Sequence, residues 1–250
     1  MTLYFIGLGL ADEKDITLKG LEAIKKCSKV FLETYTSVLQ CSKEDLEKLY
    51  GKKIVIADRE LVEKNPEEML DNTKDVAFLV VGDPMSATTH IDLFFRAKEK
   101  GIKVEIIHNA SIFSAIASTG LFLYKFGKTA SIASPDKSFK PTSYYDVLKM
   151  NQKNEFHTLM LLDLKPDLNI FMTINEAIKN LLEIELEKKE EVFDENTFCV
   201  ACARLGAKNQ LIKVGKAKEL AKIDYGKAPY CLIVPSKMHF MEEEALKQFE

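Results

Sequence analysis

Gly82, Asp83 and Pro84, followed by Ser86, Thr88 and Thr89, form the stretch GDPMSATT between an apolar run and a helix-like segment. Each type has a use at a ligand. Glycine lets another molecule approach the backbone, proline fixes the turn, and Asp83 offers a carboxylate or exposes neighbouring amides. The hydroxyls serve equally well as helix caps, so the stretch reads either as a ligand loop or as a capped strand-to-helix turn. A second candidate is GLGLAD, Gly7 to Asp12. A dinucleotide fingerprint needs a third glycine where Asp12 stands, and the helix signal begins only about Asp15. What remains is a glycine-rich strand end, or a plain tight turn.

Other motifs exclude more than they suggest. The GKT of Gly127–Thr129 lacks the preceding phosphate-loop glycine, because Phe122 occupies that place, and no strand leads into it. Cys199 and Cys202 make a CxxC inside an apolar strand-like run, where a redox or zinc pair does not belong, so buried thiols are expected. His90, His108, His157 and His239 form no HExxH, and no GxSxG nucleophile elbow occurs. Hydrolase and metal chemistry lack support, and no metal ligands are assigned.

The elements around these candidates alternate. Short β-branched runs at 3–8, 29–33, 53–57, 76–81 and 103–107 are separated by amphipathic segments, among them DITLKGLEAIKKC with Asp15 as cap, SKEDLEKLY, NPEEMLDNT and THIDLFFRAKEKG. Strands separated by helices predict an α/β domain with a mainly parallel sheet covered on both faces. A second series follows: strands at 129–134, 157–164, 197–206, 210–215 and 230–235, and helices near 141–152, 173–189 and 238–249. The close pair around RLGAKNQ predicts a hairpin turning at Gly206 and Asn209, and hence a mixed sheet. Two α/β domains result, 1–108 and 109–250, joined near HNASI without a flexible linker or internal repeat, with a cleft between them.

The 250 residues are 46% hydrophobic and 29% charged, enough for substantial cores. A net charge of -3, with Lys and Arg scattered, speaks against a nonspecific nucleic-acid or anionic-membrane binder. The N-terminus carries no basic leader, no run reaches the roughly 18 apolar residues of a membrane span, and five irregularly spaced cysteines suit reduced thiols. A cytoplasmic protein is expected.

The ordered set GLGLADEKDITLKGLEAIKKC, ETYTS, GDPMSATTH, NASI, GLFLYKFGKT, PTSYYDVL, HTLMLLD, ARLG and PYCLIVPSKMHFMEEEAL closely resembles the diphthine synthase family of the tetrapyrrole methylase fold over nearly the whole chain. GDP alone suggests the wider superfamily, whereas GDPxxATTH with NASI, YKFG and HTLxLLD points to this branch. The resemblance implies an S-adenosyl-L-methionine-dependent methyltransferase acting on the amino group of a modified histidine of translation elongation factor 2. It also implies a homodimer, with the cofactor in the cleft between the two domains. Carried over, the cofactor contacts are Leu10, Asp83, Ser86, Ser111, Ile112, Leu162, Leu205 and Tyr230. Tyr230 stands where the family usually has His; it can stack and hydrogen-bond but supplies no imidazole. Without the family, Leu10, Ile112, Leu162 and Leu205 read as core residues. No residue stands out as a general base. The short segment after LLD and the PTSYYDVL motif resemble the archaeal branch, which favours trimethylation over a further esterification. A tetrapyrrole or precorrin methyltransferase of the same fold and a non-catalytic ligand-binding scaffold are the alternatives.

Overall fold

A computed structural model describes residues 1–135 and 140–250. The chain forms two compact units. One comprises Met1–Ala115 with the short segments Lys165–Asn169 and Gly206–Lys208; the other comprises Ile116–Leu164, Ile170–Leu205 and Asn209–Glu250.

The first unit holds β1 (Thr2–Gly7), β2 (Lys29–Glu33), β3 (Val55–Ala57), β4 (Val76–Val80) and β5 (Lys103–Ile107), in the order β3-β2-β4-β1-β5. Every pairing is parallel. Helices α1 (Leu18–Lys26), α2 (Lys43–Tyr50), α3 (Arg59–Glu63) and α4 (Ile91–Glu99) make the crossovers, and α5 (Ile112–Ala115) follows β5. Alternation along the strands builds a core on each face. Leu3, Phe5, Phe31, Val76, Phe78 and Val80 enter one, while Ile6, Val30, Leu32, Ala77 and Leu79 enter the other.

The helix starts show local corrections. Asp15 is not the cap of α1. That place belongs to Thr17, whose hydroxyl accepts from the Gly20 amide at 3.0 Å, because Asp15 is spent on the backbone of the preceding loop. None of Ser86, Thr88 and Thr89 caps α4, whose N-cap position is His90 without a side-chain bond. NPEEMLDNT supplies only a 3₁₀ turn, Pro66–Glu68, which proline suits; Pro66, Met69 and Leu70 are buried, and the turn-forming Asp71, Asn72 and Thr73 follow at once. SKEDLEKLY does form α2, closed by a Ser42–Asp45 capping box.

The second unit holds β6 (Ala130–Ile132), β7 (Thr158–Leu162), β10 (Phe198–Ala203), β11 (Leu211–Lys216) and β12 (Tyr230–Val234), in the order β11-β10-β12-β7-β6. Only β6 and β7 pair in parallel, so the sheet is mixed, and β10–β11 is the predicted hairpin. Its turn places Gly206 at φ +87° and Arg204 at φ +51°. A short ribbon of β8 (Leu164–Lys165) and β9 (Ile170–Phe171) follows β7. Helices α6 (Ser143–Lys153), α7 (Ile174–Lys188) and α8 (Ala217–Leu220) complete the unit with α9 (Phe240–Leu246). Its core gathers Tyr145, Leu148, Met160, Ile178, Leu181, Phe193 and Cys199. Cys199 and Cys202 are buried in β10, and no disulfide forms. Among the described residues no helix is long and apolar enough to cross a membrane, and no cluster could hold a metal ion.

Candidate active site

Parallel strands put all their carboxyl ends on one edge, and the sheet order makes β4, β1 and β5 neighbours there. The loops that leave these ends contain Leu10, Asp83, Ser86 and Ser111, and Ile112 is the first residue of α5, so five of the eight sequence-predicted contacts share one edge of the first unit. Two left-handed glycines join the loops. The Gly82 amide donates to the Gly9 carbonyl at 2.7 Å and the Gly9 amide to the Gly82 carbonyl at 3.2 Å. Gly9 lies at φ +82° and Gly82 at φ +79°, a region costly for any side chain. Beside them Gly7 runs so close to its neighbour that a Cβ there would stand 2.6 Å from the Gly82 carbonyl oxygen. A Cβ on Gly82, which is buried, would stand in ordinary contact with Ala110 O and Ser111 Cα at 3.9 Å, so it is the left-handed backbone rather than crowding that calls for glycine there.

Asp83 holds this loop together. One carboxylate oxygen accepts from the Met85 amide at 3.0 Å and the Ser86 hydroxyl at 3.1 Å. The other accepts from the Asn109 amide at 3.2 Å and faces His108 Nδ1 at 2.7 Å. An ionised carboxylate only accepts, so that imidazole nitrogen carries the hydrogen. Burial raises the Asp83 pKa, but the Met85 amide, His108 and the Asn109 amide outweigh it and leave the carboxyl below its ordinary value. With four donors in place, Asp83 shapes the loop and holds the Met85 and Asn109 amides inward.

Residues outside the predicted set complete the scaffold. Asp15 accepts from the amides of Leu10 at 3.0 Å and Ala11 at 2.7 Å. Asn109 donates its side-chain amide to the carbonyls of Gly7 and Asp15, both at 2.9 Å, and so ties the loop after β1 to the one after β5. Leu10 packs under Gly206, where an added Cβ would stand 2.9 Å from its side chain. Ser111 opens α5: its carbonyl accepts from the amides of Ser114 and Ala115.

In the second unit the antiparallel pairing brings the end of β7 beside the start of β12, and the start of β12 beside the end of β10. Leu161 pairs with Cys231, and Ala203 with Tyr230. Leu162, Tyr230 and Leu205 therefore share one end of that sheet, with both leucines buried. The Tyr230 hydroxyl donates to the Gly226 carbonyl, and burial raises its pKa, so it stays a neutral donor. Arg204 pins the same corner. Its guanidinium donates to the carbonyls of Asn209 at 3.2 Å, Tyr225 at 2.7 Å and Lys227.

Residues 2–221 match the tetrapyrrole (corrin/porphyrin) methylases. The chain belongs to this family. Within it, a diphthine methyl ester synthase of Dictyostelium discoideum is 50% identical, covering 100% of this chain and 98% of that protein. A diphthine synthase of Methanocaldococcus jannaschii is 48% identical, covering 98% and 97%. A crystal structure of diphthine synthase matches with a TM-score of 0.90 at 38% identity, over 100% of this chain and 96% of the other. The chain is thus a methylase of the diphthine synthase branch of diphthamide biosynthesis, as its motifs suggested. Sequence reasoning missed Asn109 and Arg204 as scaffold, although NASI and ARLG lay in the motifs, because nothing in a side chain's type reveals which carbonyls it will reach.

Proposed function

We propose that the chain is an S-adenosyl-L-methionine-dependent methyltransferase that trimethylates the amino group of the modified histidine of translation elongation factor 2, acting in the cytoplasm as a homodimer. The observation that carries this reading is identity near one half, over the full length, to proteins named for diphthine and diphthine methyl ester synthesis. The residues present fit the donor. The left-handed glycines Gly9 and Gly82 join the loops at this strand edge without side chains of their own, and Leu10 and Ile112 offer apolar walls. Asp83 would hold the loop in shape for the donor's polar end and Ser86 and Ser111 would line it, while Leu162, Leu205 and Tyr230 would serve from the second unit. When bound, the donor supplies an activated methyl together with its own leaving group. The protein's share is alignment and the exclusion of water. The acceptor must be a free amine, whose proton near pKa 8 to 10 can leave to solvent, roughly as for lysine or an α-amino group.

Trimethylation rests on the short segment after LLD together with the PTSYYDVL motif, and overall alignment length points the same way. The Dictyostelium alignment runs over 268 positions against the 250 residues here, whereas the archaeal one runs over 250. The 50% identity to a methyl ester synthase favours a second reading, in which a carboxylate is esterified as well. Labelled methyl donor offered with the aminocarboxypropyl-modified factor, the unmodified factor and a uroporphyrinogen tests the choice. Transfer to the modified factor alone is expected; transfer to the macrocycle alone would move the chain to the tetrapyrrole enzymes.

A further inference from the structure

Tyr35, from the ETYTS motif, and His90, which ends GDPMSATTH, have no part in the scaffold described above. Among the described residues, Tyr35 Oη and His90 Nε2 are the buried side-chain polar atoms without a hydrogen-bond partner. His90 is 1% exposed and Tyr35 6%, and their rings meet edge to face with centroids 6.1 Å apart. His90 Nδ1 lies 3.2 Å from the Pro84 carbonyl. A carbonyl only accepts, so Nδ1 carries the hydrogen and Nε2 is left as a bare lone pair. Burial pushes the imidazole pKa down to about 4, which keeps the ring neutral. Tyr35 thus presents an unused donor and His90 an unused acceptor, each already stripped of water.

Their place in the sheet gives them a use. Strands β2 and β4 are parallel neighbours, Tyr35 lies two residues past the end of β2, and His90 is bonded to Pro84, the residue after Asp83. The pair is therefore on the same edge as the glycine-joined loops, toward the β2 side. The carbonyl of Pro84 also accepts from Thr88 Oγ1 at 3.2 Å, so one carbonyl ties both His90 and Thr88 to this loop. Nearby charges are sorted. The Glu33 carboxylate is used by the Tyr35 and Thr36 amides and the Thr36 hydroxyl. Arg59 lies over the Tyr35 ring, 5.3 Å from its centroid, with its side chain 67% exposed and only a 3.9 Å approach to Glu63.

We propose that Tyr35 and His90 bind the methyl acceptor as an amino carboxylate: the tyrosine hydroxyl donates to its carboxylate, His90 Nε2 accepts from its amine N–H, and Arg59 adds positive charge at the rim. The assignment rests on the methyl transfer proposed above. It has a stepwise consequence. A neutral primary or secondary amine has an N–H to give to His90, but a tertiary amine has none. His90 aligns the first and second transfers and is silent in the third.

H90N retains a donor toward Pro84 and lacks an acceptor at the Nε2 position, whereas H90Q places an oxygen near it. With the aminocarboxypropyl-modified factor as acceptor, mass-resolved single-turnover rates should fall about tenfold in H90N for the first two transfers and stay unchanged for the third, with H90Q restoring them. Y35F should raise the KM for the modified factor about tenfold, with kcat nearly unchanged and an unfolding temperature equal to or above that of the unaltered chain. Equal slowing of all three transfers in H90N, or none, would overturn the inference. So would a lower unfolding temperature in Y35F, which would mean that the hydroxyl is already bonded to a buried water inside the fold. If the unaltered chain itself transfers nothing to the modified factor, the proposed function fails and this inference with it; transfer by the unaltered chain alongside wild-type stepwise rates in H90N sinks the inference alone.

Discussion

Gly82 separates steric room from backbone conformation. A Cβ there has space, with Ala110 O and Ser111 Cα both at 3.9 Å, yet φ is +79°. G82A should therefore cost about 1–2 kcal/mol of stability through the left-handed backbone alone. Chemical denaturation should show that loss, and calorimetry should show weaker S-adenosyl-L-methionine binding by a chain that still folds. Asp83 makes the opposite case, since its surroundings are all donors. D83N sets an amide against at least one of the Met85, Asn109, Ser86 and His108 donors, and should cost about 1–3 kcal/mol. Full stability in D83N, measured by thermal unfolding, would contradict that account. The sequence showed that these residues sit in a glycine-bearing loop at a strand end. It could not show that the carboxylate faces inward, because that depends on Asn109 and His108 arriving from β5, 25 residues and more away.

At the scale of elements, periodicity carried the strands and long helices, and the errors fell at their ends. Asp15 and Thr17 are both acceptable caps by type; only the neighbouring loop, which claims Asp15, decides between them. Less legible still was the run of glutamates in HFMEEEAL, where Glu242 proves fully buried and Glu243 exposed. Glu242 accepts from the Phe122 amide at 2.8 Å, the His239 amide at 2.7 Å and Lys125 Nζ at 2.6 Å, and faces His157 Nε2 at 3.0 Å. His157 Nδ1 accepts from the Ser236 amide at 3.0 Å, which fixes the hydrogen on Nε2. Burial raises the Glu242 pKa, but its donors, the His239 amide foremost, bring it down to about 2, below its ordinary 4.5. The unfolded chain takes up that proton first, so the knot's contribution is full above about pH 4.5 and fades toward pH 2. Burial also lowers the His157 pKa, so its protonation opposes folding in the same acidic direction. E242Q should cost about 3–5 kcal/mol, by leaving Lys125 without its buried partner, and should flatten the acid limb of a stability–pH curve. An unchanged limb would remove the knot from that role.

For the whole molecule, the alternation of strands and helices was enough to predict an α/β chain with a parallel and a mixed sheet, because burial on both faces and hairpin chemistry each leave a pattern in sequence. Activity was legible only through motifs shared with diphthine synthases, since methyl transfer from an activated donor asks for alignment and leaves no nucleophile or metal set to recognise. The proposed homodimer should sediment at twice the 28.3 kDa of one chain at micromolar concentration, and a single 28.3 kDa species would contradict it. The measurement closest to the central claim is intact-mass spectrometry of aminocarboxypropyl-modified elongation factor 2 after incubation with the chain and S-adenosyl-L-methionine. The account predicts a gain of three methyl units, all on the amine of the histidine side chain and stable to alkali. No gain on the modified factor, with methylation of a tetrapyrrole instead, would contradict it.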